Sequence, residues 1–333
     1  MSTLIGSIIV FMLVITLHEM GHFFAAKKSG IKVNEFSIGM GPKLVQTRRG
    51  ETDYSIRALP IGGYVAMEGE EENSYDPRAF NNVSVYKRMA VVVAGVVMNF
   101  LLAVLAFTLV AALLGVQTNT IGEVIANSPA DEAHLQPGDT IVAINSTAIT
   151  DWEGVLKGIS QSGGSVDVTV QRDGANTTVR LTPLEESGRR VIGIYAKEER
   201  NGIRAIESGF SQTFFVIKEV FTTLGTLITG KTDVKMLAGP VGVISIIGQE
   251  TAKGFVYLLN ILGLISANLA VINILPIPAL DGGKLVFLIW EALTGKTLSE
   301  VWEQRITLVG MSLLFGLMLY VTVFGDLTRL LNG

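Results

Sequence analysis

The sequence predicts a polytopic α-helical membrane protein: about four transmembrane helices, a membrane-associated β-hairpin on one side and an inserted small α+β domain on the other. Three observations carry this. Of the 333 residues, 49% are hydrophobic and only 17% charged, with a mean hydropathy of +0.46, against about 25% charged in a typical soluble domain. Four stretches, 4–26, 89–114, 255–280 and 306–324, are apolar over about the 20 residues that a bilayer requires. Between them, 27–88 and 116–254 carry strand, turn and helix patterns.

The remaining composition narrows the chemistry. A formal net charge of −4 without a basic stripe predicts no nucleic-acid partner. There is no cysteine, so a transition metal would have to rest on histidine and carboxylate ligands. The first apolar stretch has no basic residue before it and no small-residue cleavage site after a short core. It therefore reads as a span rather than a signal peptide.

Orientation follows the Lys/Arg bias of short loops. Lys27, Lys28, Lys87 and Arg88 stand at the two membrane edges of 27–88, while no basic residue precedes the first span. The expected organisation is span 1–26, cytoplasmic β region 27–88, span 89–115 and outer domain 116–184. An outer amphipathic-helix region 185–254, a broken span 255–283, a cytoplasmic loop 284–305 and a last span with the C-terminus, 306–333, complete it.

Within 31–68, Tyr54-Ser55-Ile56-Arg57-Ala58-Leu59 alternates, and Pro60 with Gly62-Gly63 interrupts before Tyr64-Val65-Ala66-Met67. A small hairpin fits this better than a structureless loop. In 116–184, Ser128 is placed to cap a helix begun by Pro129, and Asp173-Gly174 to turn a hairpin. Phe210, Phe214, Ile217, Phe221, Leu224 and Ile228 recur at helical spacing. They suit an amphipathic helix on the membrane surface or a helix packed on a core.

The first span contains His18-Glu19-Met20-Gly21-His22. On a helix, residues i and i+4 share a face with Cβ atoms about 5–6 Å apart, so two imidazoles can reach one Zn²⁺. Glu19 then lies beside it as a general base. His18 is about 21 Å along the helix from Leu4, and His22 about 7–8 Å from Lys27, which sets the motif inside the hydrocarbon near the cytoplasmic side. Ionisable groups there are costly and are functional candidates by default. A catalytic zinc needs a third protein ligand. The one remaining histidine, His134, lies in the outer domain. Asp281 is the candidate, at the end of Asn273-Ile274-Leu275-Pro276-Ile277-Pro278-Ala279-Leu280-Asp281-Gly282-Gly283, where two prolines break the span. Its other reading is a cap for a helix starting near Lys284.

These paired motifs resemble the signatures of the site-2 protease family of intramembrane zinc metalloproteases, and the likeness covers nearly the whole chain. Asn127-Ser128-Pro129-Ala130 and Leu135-Gln136-Pro137-Gly138-Asp139 resemble a bacterial PDZ domain, present once. The order of spans and PDZ domain resembles the bacterial branch that cleaves anti-sigma factors. The resemblance implies a Zn²⁺ cofactor on His18, His22 and Asp281, with Glu19 catalytic. It also implies substrate contacts at Asn273, Gly62, Gly63 and Tyr64; for Asn273 a helix–helix hydrogen bond stands as the other reading. The implied setting is the bacterial inner membrane, with the N-terminus and PDZ domain outside and the active site towards the cytoplasm. Implied partners are single-pass membrane proteins (anti-sigma factors or signal-peptide remnants) and a peptide ligand of the PDZ groove. Ala94-Gly95-Val96-Val97-Met98-Asn99 departs from the family pattern, with Val96 where proline is expected. Two other classes compete: a membrane-anchored PDZ adaptor with a vestigial metal site, which an intact Glu19 argues against, and a metal transporter or sensor, which would need a through-path with several intramembrane ligands where one cluster is visible.

Overall fold

The computed structural model describes residues 2–70, 72–186, 188–233 and 237–332; of the expected terminal segments, Met1 and Gly333 lie outside the described residues. The helices are α1 (Ser2–Ser29), α2 (Val85–Leu114), α3 (Pro129–Glu132), α4 (Trp152–Ser160), α5 (Gly202–Ile228), α6 (Pro240–Lys253), α7 (Phe255–Ile274), α8 (Asp281–Thr294), α9 (Glu300–Val321) and α10 (Leu327–Asn332). The strands are β1 (Val33–Arg49), β2 (Thr52–Met67), β3 (Val116–Val124), β4 (Thr140–Ile144), β5 (Thr147–Ala148), β6 (Val166–Arg172), β7 (Ala175–Leu181), β8 (Leu184–Glu186), β9 (Arg189–Val191) and β10 (Ile194–Glu199). Two compact units result, 1–109 with 209–333, and 110–208.

Among the described residues, four helical stretches are long and apolar enough to cross a membrane: Ile5–Ser29, Val85–Leu114, Phe255–Ile274 and Val301–Arg329. Val10 and Val14 of α1, Leu102 and Ala106 of α2, Ile247 of α6, and Ile261 and Leu262 of α7 form one core cluster. Such helices have no hydrophobic gain from leaving lipid for one another, so close packing and polar bonds must hold them. In α5 the buried face lies off the periodic stripe, whose Phe210 and Ile228 are exposed. Val216 packs with Ala103, Phe107 and Ala267, while Phe214 and Phe221 are exposed.

β1 and β2 form the expected hairpin, but each strand is bent, so that residues 35–38 have partners on both sides. Ser37 faces Tyr64 on one flank and Ser55 on the other. The segment 63–67 is thereby an outer edge of this small sheet. Ala26, Val33, Phe36, Val65, Val91 and Leu288 bind the sheet to α1, α2 and α8. The expected loop 284–305 is largely helical, since α8 occupies its first half.

The second unit holds a sheet of order β10-β3-β4-β6-β7, with β5 paired to β4. Its core includes Ile121, Ile141, Ile144, Val155, Val168 and Leu181. Ser128 caps α3 by accepting from Asp131 N, with Pro129 in its first turn. Asp173 and Gly174, both at positive φ, turn the β6–β7 hairpin. The sheet extends beyond the boundary expected at 184: Ile194–Glu199 pairs with β3, Ile194 opposite Val124 and Glu199 opposite Val116. Alternation in so short and highly charged a strand is too weak a signal to read locally. Asp139 is 1% exposed and grips Arg172 through both oxygens at 2.7 Å. Those bonds hold its carboxyl below the usual range.

Candidate metal centre

The centre starts from helical spacing. His18 and His22 sit one turn apart on α1, with ring centroids 4.7 Å apart and rings nearly perpendicular, at 89°. Their Nε2 atoms converge to 3.2 Å, and each side chain is only 12% exposed. His22 Nδ1 donates to the main-chain oxygen of Val91 on α2 at 2.8 Å. That bond leaves the Nε2 lone pair directed into the site. His18 Nδ1 lies 3.2 Å from Asn99 Nδ2, also on α2.

Asp281 comes from the other end of the sequence. α7 stops at Ile274 and Leu275 is extended, as expected ahead of Pro276, because proline disfavours helical geometry in the residue before it. The chain then doubles back so closely that a Cβ at Gly282 would lie 2.1 Å from the Leu275 carbonyl oxygen. α8 begins at Asp281 with Leu280 in the cap position, so Asp281 is the first helical residue and not the cap. Its Oδ2 lies 3.2 Å from His18 Nε2 and 3.5 Å from His22 Nε2.

Two imidazole nitrogens and a carboxylate oxygen are a donor set suited to Zn²⁺. Asp281 Oδ2 is buried and has no hydrogen-bond partner, so a ligand for it is physically called for. The spacing fits as well. Tetrahedral bonds of about 2.0–2.1 Å put neighbouring ligand atoms about 3.3 Å apart, and the three observed separations are 3.2, 3.2 and 3.5 Å.

Of the other expected residues, Glu19 adjoins His18 on α1, and a Cβ at Gly63 would lie 3.7 Å from Glu19 Cγ. The edge segment of β2 therefore passes the base candidate. Asn273 Nδ2 is 3.5 Å from His18 Nε2. Gly62, at φ 88°, borders Met40 at the bend. Tyr64 turns its hydroxyl to Arg57, which also bonds Glu35 at 2.9 Å, so its side chain is engaged within the sheet. His134 belongs to the second unit, where its carbonyl accepts from Arg172.

Besides Val91, which holds His22, two residues of the centre carry no role in the sequence reading. Asn99 contacts His18, and Gly95 gives the imidazoles room, because a Cβ there would meet His22 Nε2 at 2.5 Å. Both lie in the segment around Ala94-Gly95-Val96 whose motif likeness was visible without its purpose. α2 runs through Val96 unbroken, so the missing proline leaves the helix intact.

Peptidase family M50 matches residues 6–317. A Clostridium acetobutylicum protein named as a zinc metalloprotease is 40% identical over 322 residues, covering 95% of each chain. The Bacillus subtilis Regulator of sigma-W protease RasP is 30% identical over 418 aligned positions, covering 99% of each. The PDZ domain of an SdrC-like protein from Listeria monocytogenes aligns with 25% of this chain and 86% of that structure, at 24% identity and a TM-score of 0.21. With a whole-chain family match and relatives this similar along their full length, the chain belongs to peptidase family M50, the site-2 proteases.

Proposed function

We propose that His18, His22 and Asp281 hold the zinc ion of this intramembrane metalloprotease and that Glu19 is its general base. The chain is a zinc metalloprotease of regulated intramembrane proteolysis; the residue roles rest on the convergence of the three ligand atoms beside Glu19. Zinc supplies Lewis acidity, which polarises a scissile carbonyl and acidifies water. Glu19 takes a proton from the attacking water and returns it to the departing amine, two transfers a single carboxylate can serve. Asn273, whose amide reaches the site, donates to the substrate carbonyl as charge develops on it.

A helical substrate has no free backbone groups, so it must unwind before cleavage. The edge at 63–67, running past Glu19, can receive the unwound segment as an added strand. Gly62 and Gly63 keep that edge open. Tyr64 contributes through its backbone, with its hydroxyl engaged by Arg57. The substrates are single-pass membrane proteins. Anti-sigma factors are the favoured class, in keeping with a relative named for sigma-W regulation; signal-peptide remnants are the second. The chain lies in the bacterial inner membrane, N-terminus and PDZ-type domain outside and the metal centre towards the cytoplasm, as the basic edges of 27–88 support. The PDZ-type domain takes an extended peptide. An adaptor with a vestigial site is not favoured, since Glu19 and the three ligand residues are all in place.

The test is Glu19→Gln assayed on a membrane-spanning reporter in liposomes. Cleavage should fall by about 10²–10⁴-fold with zinc content unchanged. Undiminished cleavage would remove Glu19 from the role of base.

A further inference from the structure

A histidine that ligates a metal through Nε2 must carry its hydrogen on Nδ1. The acceptor of that hydrogen fixes the ring's tautomer and orientation. His22 has its acceptor in the Val91 carbonyl, 2.8 Å from Nδ1. At His18 the neighbour of Nδ1 is the Asn99 amide nitrogen, 3.2 Å away. An amide N–H donating to Nδ1 places the imidazole hydrogen on Nε2, the atom that faces Asp281 Oδ2 at 3.2 Å. Meanwhile Asn99 Oδ1 is buried with no hydrogen-bond partner, in a side chain belonging to a residue only 1% exposed. An amide oxygen so placed is costly, by about 1–3 kcal/mol. A half-turn of the amide head exchanges oxygen and nitrogen without moving the side chain's outline. Oδ1 then accepts from His18 Nδ1–H, and the Nε2 lone pair is released towards the centre.

We propose that Asn99 is a positioning residue for His18: its amide turns so that Oδ1 holds the His18 Nδ1–H and presents Nε2 to zinc. The inference rests on His18 being a ligand, as assigned under Proposed function. The backbone is built to hold Asn99 there. Its carbonyl oxygen accepts from Ser266 Oγ on α7 at 2.8 Å, and the nearby Gly95 brings α2 close against the imidazoles. The residue thus joins α1, α2 and α7 at one point. One imidazole is oriented by a main-chain carbonyl that substitution cannot remove, and the other by a side chain that it can.

The experiment measures Zn²⁺ affinity of the full chain in detergent, by competition with a chromophoric chelator, for wild type, Asn99→Leu and Asn99→Asp. Leucine keeps the approximate size and removes the acceptor, and aspartate keeps the shape and offers only acceptors. Affinity should fall by about 10–100-fold in Asn99→Leu and stay within a few-fold of wild type in Asn99→Asp. A cobalt-loaded Asn99→Asp protein should also show shifted ligand-field bands, because a charged acceptor changes the basicity of His18. A merely structural role predicts the reverse ranking, since a buried carboxylate disturbs packing more than leucine does. Wild-type affinity in Asn99→Leu would overturn the proposal. So would an Asn99→Asp protein that folds and loses zinc as far as Asn99→Leu does. If Asn99→Leu does not fold, the Asn99→Asp affinity and cobalt bands decide alone. Wild type that binds no zinc would instead overturn the ligand assignment itself, which keeps the two failures apart.

Discussion

Gly95 on α2 and His22 on α1 are so close that a Cβ at residue 95 would lie 2.5 Å from His22 Nε2 and 2.7 Å from His18 Cε1. Small residues let membrane helices approach in this way, and here the space gained is filled by the two imidazoles. Gly95→Ala should weaken zinc binding at least about tenfold, the scale of an outer-contact mutation at a metal site. Alanine is the better helix former by about 1 kcal/mol, so α2 itself should not loosen. Zinc titration alongside circular dichroism separates the two effects, and unaltered affinity would show that the imidazoles do not need this room.

Asp281 supplies the carboxylate of the cluster it forms with His18 and His22, and its Oδ2 has no hydrogen-bond partner. Asp281→Asn keeps its size and removes its charge. Zinc content after dialysis should drop to a small fraction of wild type, as it should in His18→Ala. A variant that keeps its full zinc complement would leave the ligand set.

Asp326 reaches from the π-helical turn Thr322–Asp326 to the start of α6, accepting from Gly239 N and Gly242 N at 2.9 Å each. It is 2% exposed and does the work of an N-cap from a distance, because Gly239 has no side chain to do so. Asp326→Ala should destabilise the start of α6 by about 1–3 kcal/mol, leaving two amides without their acceptor. Hydrogen exchange at Gly239 and Gly242 in the intact chain would report this as faster opening. Unchanged protection would mean that the α6 start is held by other contacts.

Glu35 gathers Ser55 Oγ at 2.5 Å, Arg57 at 2.9 Å and Lys43 at 3.2 Å. Burial by itself would raise its carboxyl, but these bonds prevail and bring it down to about 2, from an ordinary 4.5. A depressed folded pKa means that the ionised form stabilises the fold. This contribution is complete above pH 4.5 and is lost as pH falls towards 2. The protection factors of the Ser37 and Tyr64 amides, opposite each other in the sheet, should fall over that window in wild type. In Glu35→Gln the pH dependence should flatten; an equally steep profile would assign it to another group.

Much of the molecule could be read locally. Hydropathy and the i, i+4 spacing of His18 and His22 depend on one helix, and Pro276 and Pro278 mark a break whatever surrounds them. Ser128 before Pro129 and the Asp173-Gly174 turn are likewise properties of a few consecutive residues. Local pattern was weaker for β10, where Ile194 and Tyr195 give way to Ala-Lys-Glu-Glu and only pairing with β3 makes a strand.

By itself, then, the sequence determined the four spans, the two histidines on one helical face, the base candidate between them and the shortage of histidine that pointed to Asp281. Only the tertiary structure decided what stands behind those candidate ligands. Asn99 at His18, Val91 at His22, Gly95 beneath both and Asp326 at the start of α6 are contacts between elements far apart in the chain. A helix's period says which residues share a face. It does not say which neighbouring helix that face meets, at what depth, or how near the two backbones come, and those three quantities orient the imidazoles.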